Sequence, residues 1–242
     1  MFEQKGGIWM IYCISDIHGQ YKQYKKMLEC IDLKEEDTLY VLGDVIDRGP
    51  ESLKVLEDMM RRTNIFPIIG NHEYMAMSCL HNFMQEITEK SISEFNEDTR
   101  MSIEDWFCNG GYTTYKEFIR LSRDTQNDIL EYLGEFSLYE EIEVNNKHFV
   151  LTHGGIGNFS EERPLHKYSL VDMAFTRPDY SKVYYTNKYL VTGHTPTVLI
   201  DEECKEGTIY MKNNHIAIDC GSVFGLQLGA ICLDTLETFY VK

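Results

Sequence analysis

Over the first 70 residues, short apolar runs alternate with stretches whose apolar positions recur at helical spacing. Ile8–Ile14 is continuous and apolar, as expected of a strand buried on both faces. Gln20–Ile31 carries Tyr21, Tyr24, Met27, Leu28 and Ile31 at a period near 3.6, which predicts an amphipathic helix. Thr38–Leu42 reads as a second strand and Ser52–Arg61 as a second helix, with Pro50 just ahead of its first turn. Ile65–Ile69 is a third strand, and a helix from about Glu73 follows. Strand–helix–strand–helix–strand predicts parallel strands joined by right-handed crossovers.

From about Met75 to Leu133 the pattern turns mostly helical, broken at Asn109-Gly110-Gly111. No linker rich in Pro, Gly or Ser flanks it, so it reads as a helical insertion within a single domain over residues 1–242. Strand-like runs resume at Glu140–Val144, Lys147–Thr152 and Tyr189–Thr192. Thr208–Met211, Ile216–Ile218, Ala230–Leu233 and Thr238–Val241 read as a closing antiparallel meander.

The formal charge of −16 narrows the partners. Broad contact with nucleic-acid phosphates needs a basic footprint, and an anionic membrane surface needs one too, so neither partner is expected. Seven scattered cysteines without a CxxC pair make a poor disulfide framework and point to a reducing cytosol. No signal peptide or apolar stretch of spanning length is evident.

The polar residues gather where strands end. Ser15-Asp16-Ile17-His18-Gly19 follows the first strand, Gly43-Asp44-Val45-Ile46-Asp47-Arg48-Gly49 the second, and Gly70-Asn71-His72-Glu73 the third. Later strands end in His153-Gly154-Gly155 and Gly193-His194-Thr195-Pro196. In a parallel α/β sheet the carboxyl ends of strands share one edge, where ligands bind, so five distant motifs converge on one crevice. GDxxDRG alone has a chance frequency of only ~10⁻⁴ in a chain of this length, and GNHE makes coincidence untenable.

Asp16, His18, Asp44, Asn71, His153 and His194 offer carboxylate, amide and imidazole donors without a thiolate. Such a set suits manganese, iron or zinc better than calcium. Six donors exceed the need of one catalytic ion with an open position, but suit two ions sharing a carboxylate, for which Asp44 is the natural bridge. Two divalent ions can generate hydroxide at neutral pH and clamp the oxygens of an in-line phosphoryl displacement.

DIHG, GDVIDRG, GNHE, HGG and GHTP, in this order, resemble the phosphoprotein phosphatase family within the calcineurin-like metallophosphoesterases. The resemblance runs from Asp16 to Gly225. It implies an α/β sandwich of two mixed β-sheets flanked by helices. One ion, with manganese the expected metal, would be held by Asp16, His18 and Asp44, and a second by Asp44, Asn71, His153 and His194. It further implies that Arg48, Arg177 and Asn71 bind the substrate phosphate. His72, oriented by Asp47, would protonate the leaving oxygen during direct attack by a metal-bridging hydroxide. Phe175 stands where bacterial relatives tend to carry tryptophan, and Ile218–Gly225 resembles the bacterial and phage branch. Trp106, Asn109-Gly110-Gly111 and Thr113 fit that branch as rim residues, and Asp219 reads as structural.

The leading expectation is a cytoplasmic serine/threonine protein phosphatase, a metal-dependent phosphomonoesterase acting on phosphoproteins. The alternative is a symmetrical dinucleoside-tetraphosphate hydrolase, whose RGPxS pattern appears as Arg48-Gly49-Pro50-Glu51-Ser52. By resemblance, those hydrolases usually lack the acidic residue at Asp47 and read GNHD rather than GNHE. Asp47 and Glu73 therefore favour the protein phosphatase.

Overall fold

The computed structural model describes residues 9–85, 88 and 95–242. Its first half follows the predicted alternation: β1 (Ile11–Ile14), α1 (Tyr21–Cys30), β2 (Thr38–Leu42), α2 (Ser52–Met60), β3 (Ile65–Ile68) and α3 (Asn71–Met84). Ile8, expected to open β1, lies outside the described residues. Helix α3 starts two residues before the predicted Glu73, because the Glu73 carboxylate folds back to accept the Gly70 N–H at 3.0 Å. That contact satisfies a free amide at the helix start and places Asn71 and His72 in the first turn.

Helices α4 (Glu97–Trp106), α5 (Tyr112–Phe118) and α6 (Arg123–Gly134) follow, with a π-helical turn at Phe107–Gly111 between α4 and α5. Residues 86, 87 and 89–94 of the expected insertion lie outside the described residues. Ile103, Trp106, Phe118, Ile129 and Leu133 of these helices are buried in one apolar cluster with Ile14 and Val41 of the sheet. None of the helices among the described residues is long and apolar enough to cross a membrane.

The remaining elements are β4 (Tyr139–Val144), β5 (Lys147–Thr152), α7 (Leu170–Ala174), β6 (Lys188–Thr192), β7 (Tyr210–Lys212), β8 (His215–Ala217), β9 (Leu228–Cys232) and β10 (Thr238–Val241). Two mixed five-stranded sheets result, ordered β10-β9-β1-β2-β3 and β4-β5-β6-β8-β7. The last four strands do not form the expected meander. The β7–β8 hairpin joins the second sheet, where β8 runs parallel to β6, and the β9–β10 hairpin joins the first, beside β1. Three-residue strands carry too little periodicity to choose a partner; burial decides, since every side chain of β8 is enclosed.

Alternation along the strands builds the layers. Cys13 and Leu42 face Phe149, Leu151 and Val191 across the inter-sheet core, while Tyr12, Ile14, Leu39 and Val41 pack against the helices. Val150 and Leu190 point the other way, onto Met173 of α7 and its flanking loops. Removing a central side chain such as Phe149 would cost about 3–5 kcal/mol. Pro67 sits in β3 at the sheet edge, where its missing N–H is harmless and its carbonyl accepts the Ser137 N–H at 3.1 Å. With β1, β2 and β3 parallel, and β5, β6 and β8 parallel, both sheets bring carboxyl ends to the site.

Candidate active site

The five strand-end motifs meet as expected, and tight turns bring them together. Asp16, His18, Asp44, Asp47, Arg48 and His194 all adopt left-handed backbone, with φ between 45° and 71°. For residues with a Cβ that conformation costs about 1 kcal/mol or more each, and it is tolerated where the surrounding contacts enforce it. The turn after β1 bonds to the turn after β2 through His18 N to Asp44 O at 2.9 Å and Gly19 N to Val45 O at 2.8 Å. Gly70 must lack a side chain, because a Cβ there would lie 2.3 Å from Asp44 Oδ1.

Asp44 is buried at the centre. Its Oδ1 lies 3.3 Å from His153 Nε2, and its Oδ2 lies 3.6 Å from His18 Nε2 and 3.9 Å from His72 Nε2. The donor atoms of His18, Asp44 and His72 fall within 4.8 Å of one another, as do those of Asp44, His153 and His194. Asp16 Oδ1 approaches His18 Nε2 at 4.0 Å, and Asn71 Oδ1 lies 3.1 Å from His153 Nε2. All six expected donors are thus gathered, with one Asp44 oxygen facing each side.

The histidines are oriented from behind. His18 Nδ1 donates to Ile46 O at 2.9 Å, and its Nε2 accepts from Arg48 Nη1 at 2.6 Å, since a guanidinium offers no lone pair. His153 Nδ1 donates to Leu42 O at 2.7 Å. Backbone carbonyls that fix the Nδ1–H tautomer and aim Nε2 inward are the usual support for metal-ligating imidazoles. The cluster can therefore hold divalent ions.

Electrostatics divide the cluster. Burial pushes His18 down to about 3, against the pull of Asp44. His194 is likewise depressed to about 3 by burial and by His153. Burial opposes charge on His153 too, but Asp44 and then Asp16 outweigh it and raise that imidazole to about 10. Burial alone would raise Asp44, yet His153 and His72 hold it well below the usual carboxylate range. A cation held here would take the place of the His153 proton beside Asp44.

His72 and Asp47 form a second unit. His72 Nδ1 donates to Asp47 Oδ2 at 2.8 Å, while its buried Nε2 has no hydrogen-bond partner among the described residues. Trp106 Nε1 donates to the same Asp47 oxygen at 2.7 Å, and Thr114 Oγ1 donates to Oδ1 at 2.6 Å. Burial works against charge on His72, but Asp44 and Asp47 together raise it above its ordinary value.

Trp106 and Thr114 thus hold Asp47 from the helical segment, a role their rim-like sequence context did not announce. The WxxxGG pattern was its visible trace: a Cβ on Gly111 would lie 2.3 Å from the Trp106 indole, and Gly110, at φ 101°, accepts the Arg48 N–H at 3.0 Å. Glu73 serves similarly from below, accepting the backbone N–H groups of Asp44 and Val45 at 2.8 Å, besides that of Gly70. Arg48 and Arg177 line the same pocket as His194, and Asp219 borders it.

Residues 10–198 match the profile of the calcineurin-like phosphoesterases. The chain belongs to that family. Among curated relatives, a symmetrical bis(5'-nucleosyl)-tetraphosphatase of Wigglesworthia glossinidia brevipalpis is 47% identical over 64 residues, 26% of this chain and 24% of that protein. The asymmetrical bis(5'-nucleosyl)-tetraphosphatase PrpE of Oceanobacillus iheyensis is 26% identical over 247 residues, covering 90% of this chain and 86% of that protein. The chain spans only about a quarter to a third of the length of the first symmetrical enzymes it matches. A solved structure described as a candidate diadenosine tetraphosphatase superposes with a TM-score of 0.65 at 17% identity, covering 96% of this chain and 93% of that one. A cold-active protein-tyrosine phosphatase of a Shewanella species superposes at 0.56 and 16% identity, over 98% and 81%. Those two likenesses establish a shared fold.

For this calcineurin-like phosphoesterase, the expectation of a serine/threonine protein phosphatase with phosphoprotein partners is overturned, because the curated relatives named above are tetraphosphatases. The narrower phosphoprotein phosphatase branch does not follow from the family match. The physical reason is visible at the two residues used to discriminate. Glu73 is wholly buried and bonded to backbone amides, and Asp47 is wholly buried against His72, Trp106 and Thr114. Neither side chain reaches the surface a substrate meets, so neither reports what the substrate is.

Proposed function

We propose that this protein hydrolyses dinucleoside tetraphosphates, cleaving a phosphoanhydride rather than a phosphoester. The observation that carries the reading is the relationship to the Oceanobacillus tetraphosphatase along most of both chains. Asp16, His18 and Asp44 would hold one divalent ion, and Asp44, Asn71, His153 and His194 a second. Manganese suits these donors, as iron and zinc do. When bound, the ions supply an activated water and neutralise charge on the phosphoryl oxygens.

The chain's own side chains do the rest. Arg48 and Arg177 offer forked donors to the phosphate oxygens, and Asn71 offers its amide there. Protonated His72, held through Nδ1 by Asp47, presents its unpartnered Nε2–H to the departing oxygen. That oxygen belongs to a phosphate with a second pKa of ~6, so it needs less proton assistance than an alkoxide would.

The test supplies purified protein and manganese with diadenosine tetraphosphate and, separately, a phosphoserine peptide. A kcat/KM at least an order of magnitude higher for the dinucleotide supports the reading; hydrolysis of the peptide alone would sink it. The products locate the cut: two ADP mean central cleavage, and ATP with AMP mean off-centre cleavage.

A further inference from the structure

A pocket of about 300 Å³ opens directly beside the ion-holding cluster, sharing His194, Arg48 and Arg177 as its inner wall. Its outer wall is carbon: Val198, Leu199, Phe224 and Leu226. Phe224 and Leu199 are 61% and 68% exposed, so two large apolar side chains stand in water at the mouth. Isolated exposed apolar residues are ordinary, but here they line one cavity together with Arg48 and Arg177.

The Phe224 ring is not there by looseness. It caps a single-turn helix, Ser222–Phe224, between Gly221 and Gly225, both left-handed at φ 76° and 80°. Gly221 N–H is tied to Asp219 Oδ1 at 3.0 Å, and Leu226 N–H returns to Gly221 O at 3.3 Å. The Ser222 hydroxyl is anchored to Gln23 of α1. Arg48 Cζ lies 5.7 Å from the ring centroid, so the aromatic face adjoins the guanidinium proposed to hold phosphate.

We infer that this pocket is a nucleobase subsite, in which Phe224 stacks on the base of one nucleoside while Arg48 and Arg177 hold its phosphates. The inference rests on the proposed phosphoanhydride hydrolysis and adds the residues that recognise the nucleoside. The lining pairs two guanidinium groups suited to phosphate with aromatic and aliphatic carbon suited to a flat base, and Asp219 borders it. The volume is at the low end for small-molecule sites, suited to one nucleoside rather than two. Stacking is tolerant of base identity, because every base has a π-face.

The test compares AMP with ribose 5-phosphate, which differ by the base alone, in calorimetric titrations of the manganese-supplied protein. AMP is expected to bind roughly 10- to 100-fold more tightly, the range for one stacked base. Phe224→Ala should bring that ratio close to one, and Phe224→Trp should retain it. Equal binding of the two ligands by the unaltered protein, or an undiminished ratio in Phe224→Ala, overturns the subsite. The two readings separate cleanly. Preference for AMP without cleavage of diadenosine tetraphosphate keeps the subsite and removes the function. Cleavage without preference for AMP keeps the function and removes the subsite.

Discussion

His72 and Asp47 are joined by a 2.8 Å hydrogen bond between two buried side chains, and the imidazole is thereby kept ready to carry a proton. Its raised pKa sets the direction of a pH test. A group held above its ordinary pKa stays protonated to higher pH, so activity that needs this proton should fall on the alkaline side as His72 deprotonates. Asp44 and Asp47 together outweigh burial, and Asp47→Asn removes one of those two charges, so the alkaline limb of kcat should move to lower pH. His72→Asn should lower kcat by ~10²-fold, the low end for general acid catalysis, with metal content retained. An unmoved limb in Asp47→Asn would remove His72 from the chemistry.

Asp44 turns one carboxylate oxygen toward His18 and the other toward His153, so in the proposed arrangement it would serve both ions. Asp44→Asn should therefore abolish manganese-dependent hydrolysis and reduce bound metal from about two equivalents per chain toward none. Asp16→Asn touches only one side and should leave about one equivalent. Elemental analysis after gel filtration reads both numbers. Dialysis against a chelator should silence the unaltered protein, and manganese should restore it.

Glu73 is a structural acceptor of backbone N–H groups. Truncation to alanine strands the backbone N–H groups of Gly70, Asp44 and Val45 in the interior. The expected loss is about 3 kcal/mol or more, hence a fall in Tm of roughly 6–12 °C for a chain of this size. Glu73→Asp should leave the ratio of dinucleotide to phosphopeptide hydrolysis unchanged. A switch in that ratio would return the GNHE motif to the role of substrate marker.

Away from the site, Asp58 accepts from Arg62 Nε at 2.7 Å, Lys25 Nζ at 2.9 Å and Tyr24 Oη at 3.0 Å, tying α2 to α1. Burial would raise its pKa, but these three donors, Arg62 foremost, hold it below the ordinary value. Its stabilisation is then complete above the unfolded pKa of ~3.9 and lost as pH falls through the lower folded value. Asp58→Asn should cost about 1 kcal/mol at neutral pH, because Arg62 and Lys25 are partly solvated. Denaturant titrations should show the difference closing near the acid end.

The site was far more legible in the sequence than its substrate. Asp16, Asp44, Asn71, His153 and His194 each follow an apolar run, and strand ends in parallel sheets have one place to go. Periodicity likewise revealed β1 to β3 and the helices between them. It failed at β7 and β8, where three residues leave no pattern and pairing is decided by chain distant in sequence. Specificity was hidden for a related reason. Motif letters mark the residues gathered around Asp44, Glu73 included, whereas the pocket proposed to take the nucleoside is lined by residues such as Leu199 and Phe224, to which the sequence reading attached no chemistry.

The left-handed backbone at Asp16, His18, Asp44, Asp47, Arg48 and His194 carries a consequence for descent. At each position the relaxed choice is glycine, and these side chains persist against that local preference. A lineage that relaxed these turns to glycine would shed about 1 kcal/mol or more of backbone strain at each, and at Asp47 would leave the Trp106 indole N–H and the Thr114 hydroxyl without their buried acceptor. A descendant with the same two sheets and glycine at several of these positions would have lost the donor cluster gathered around Asp44.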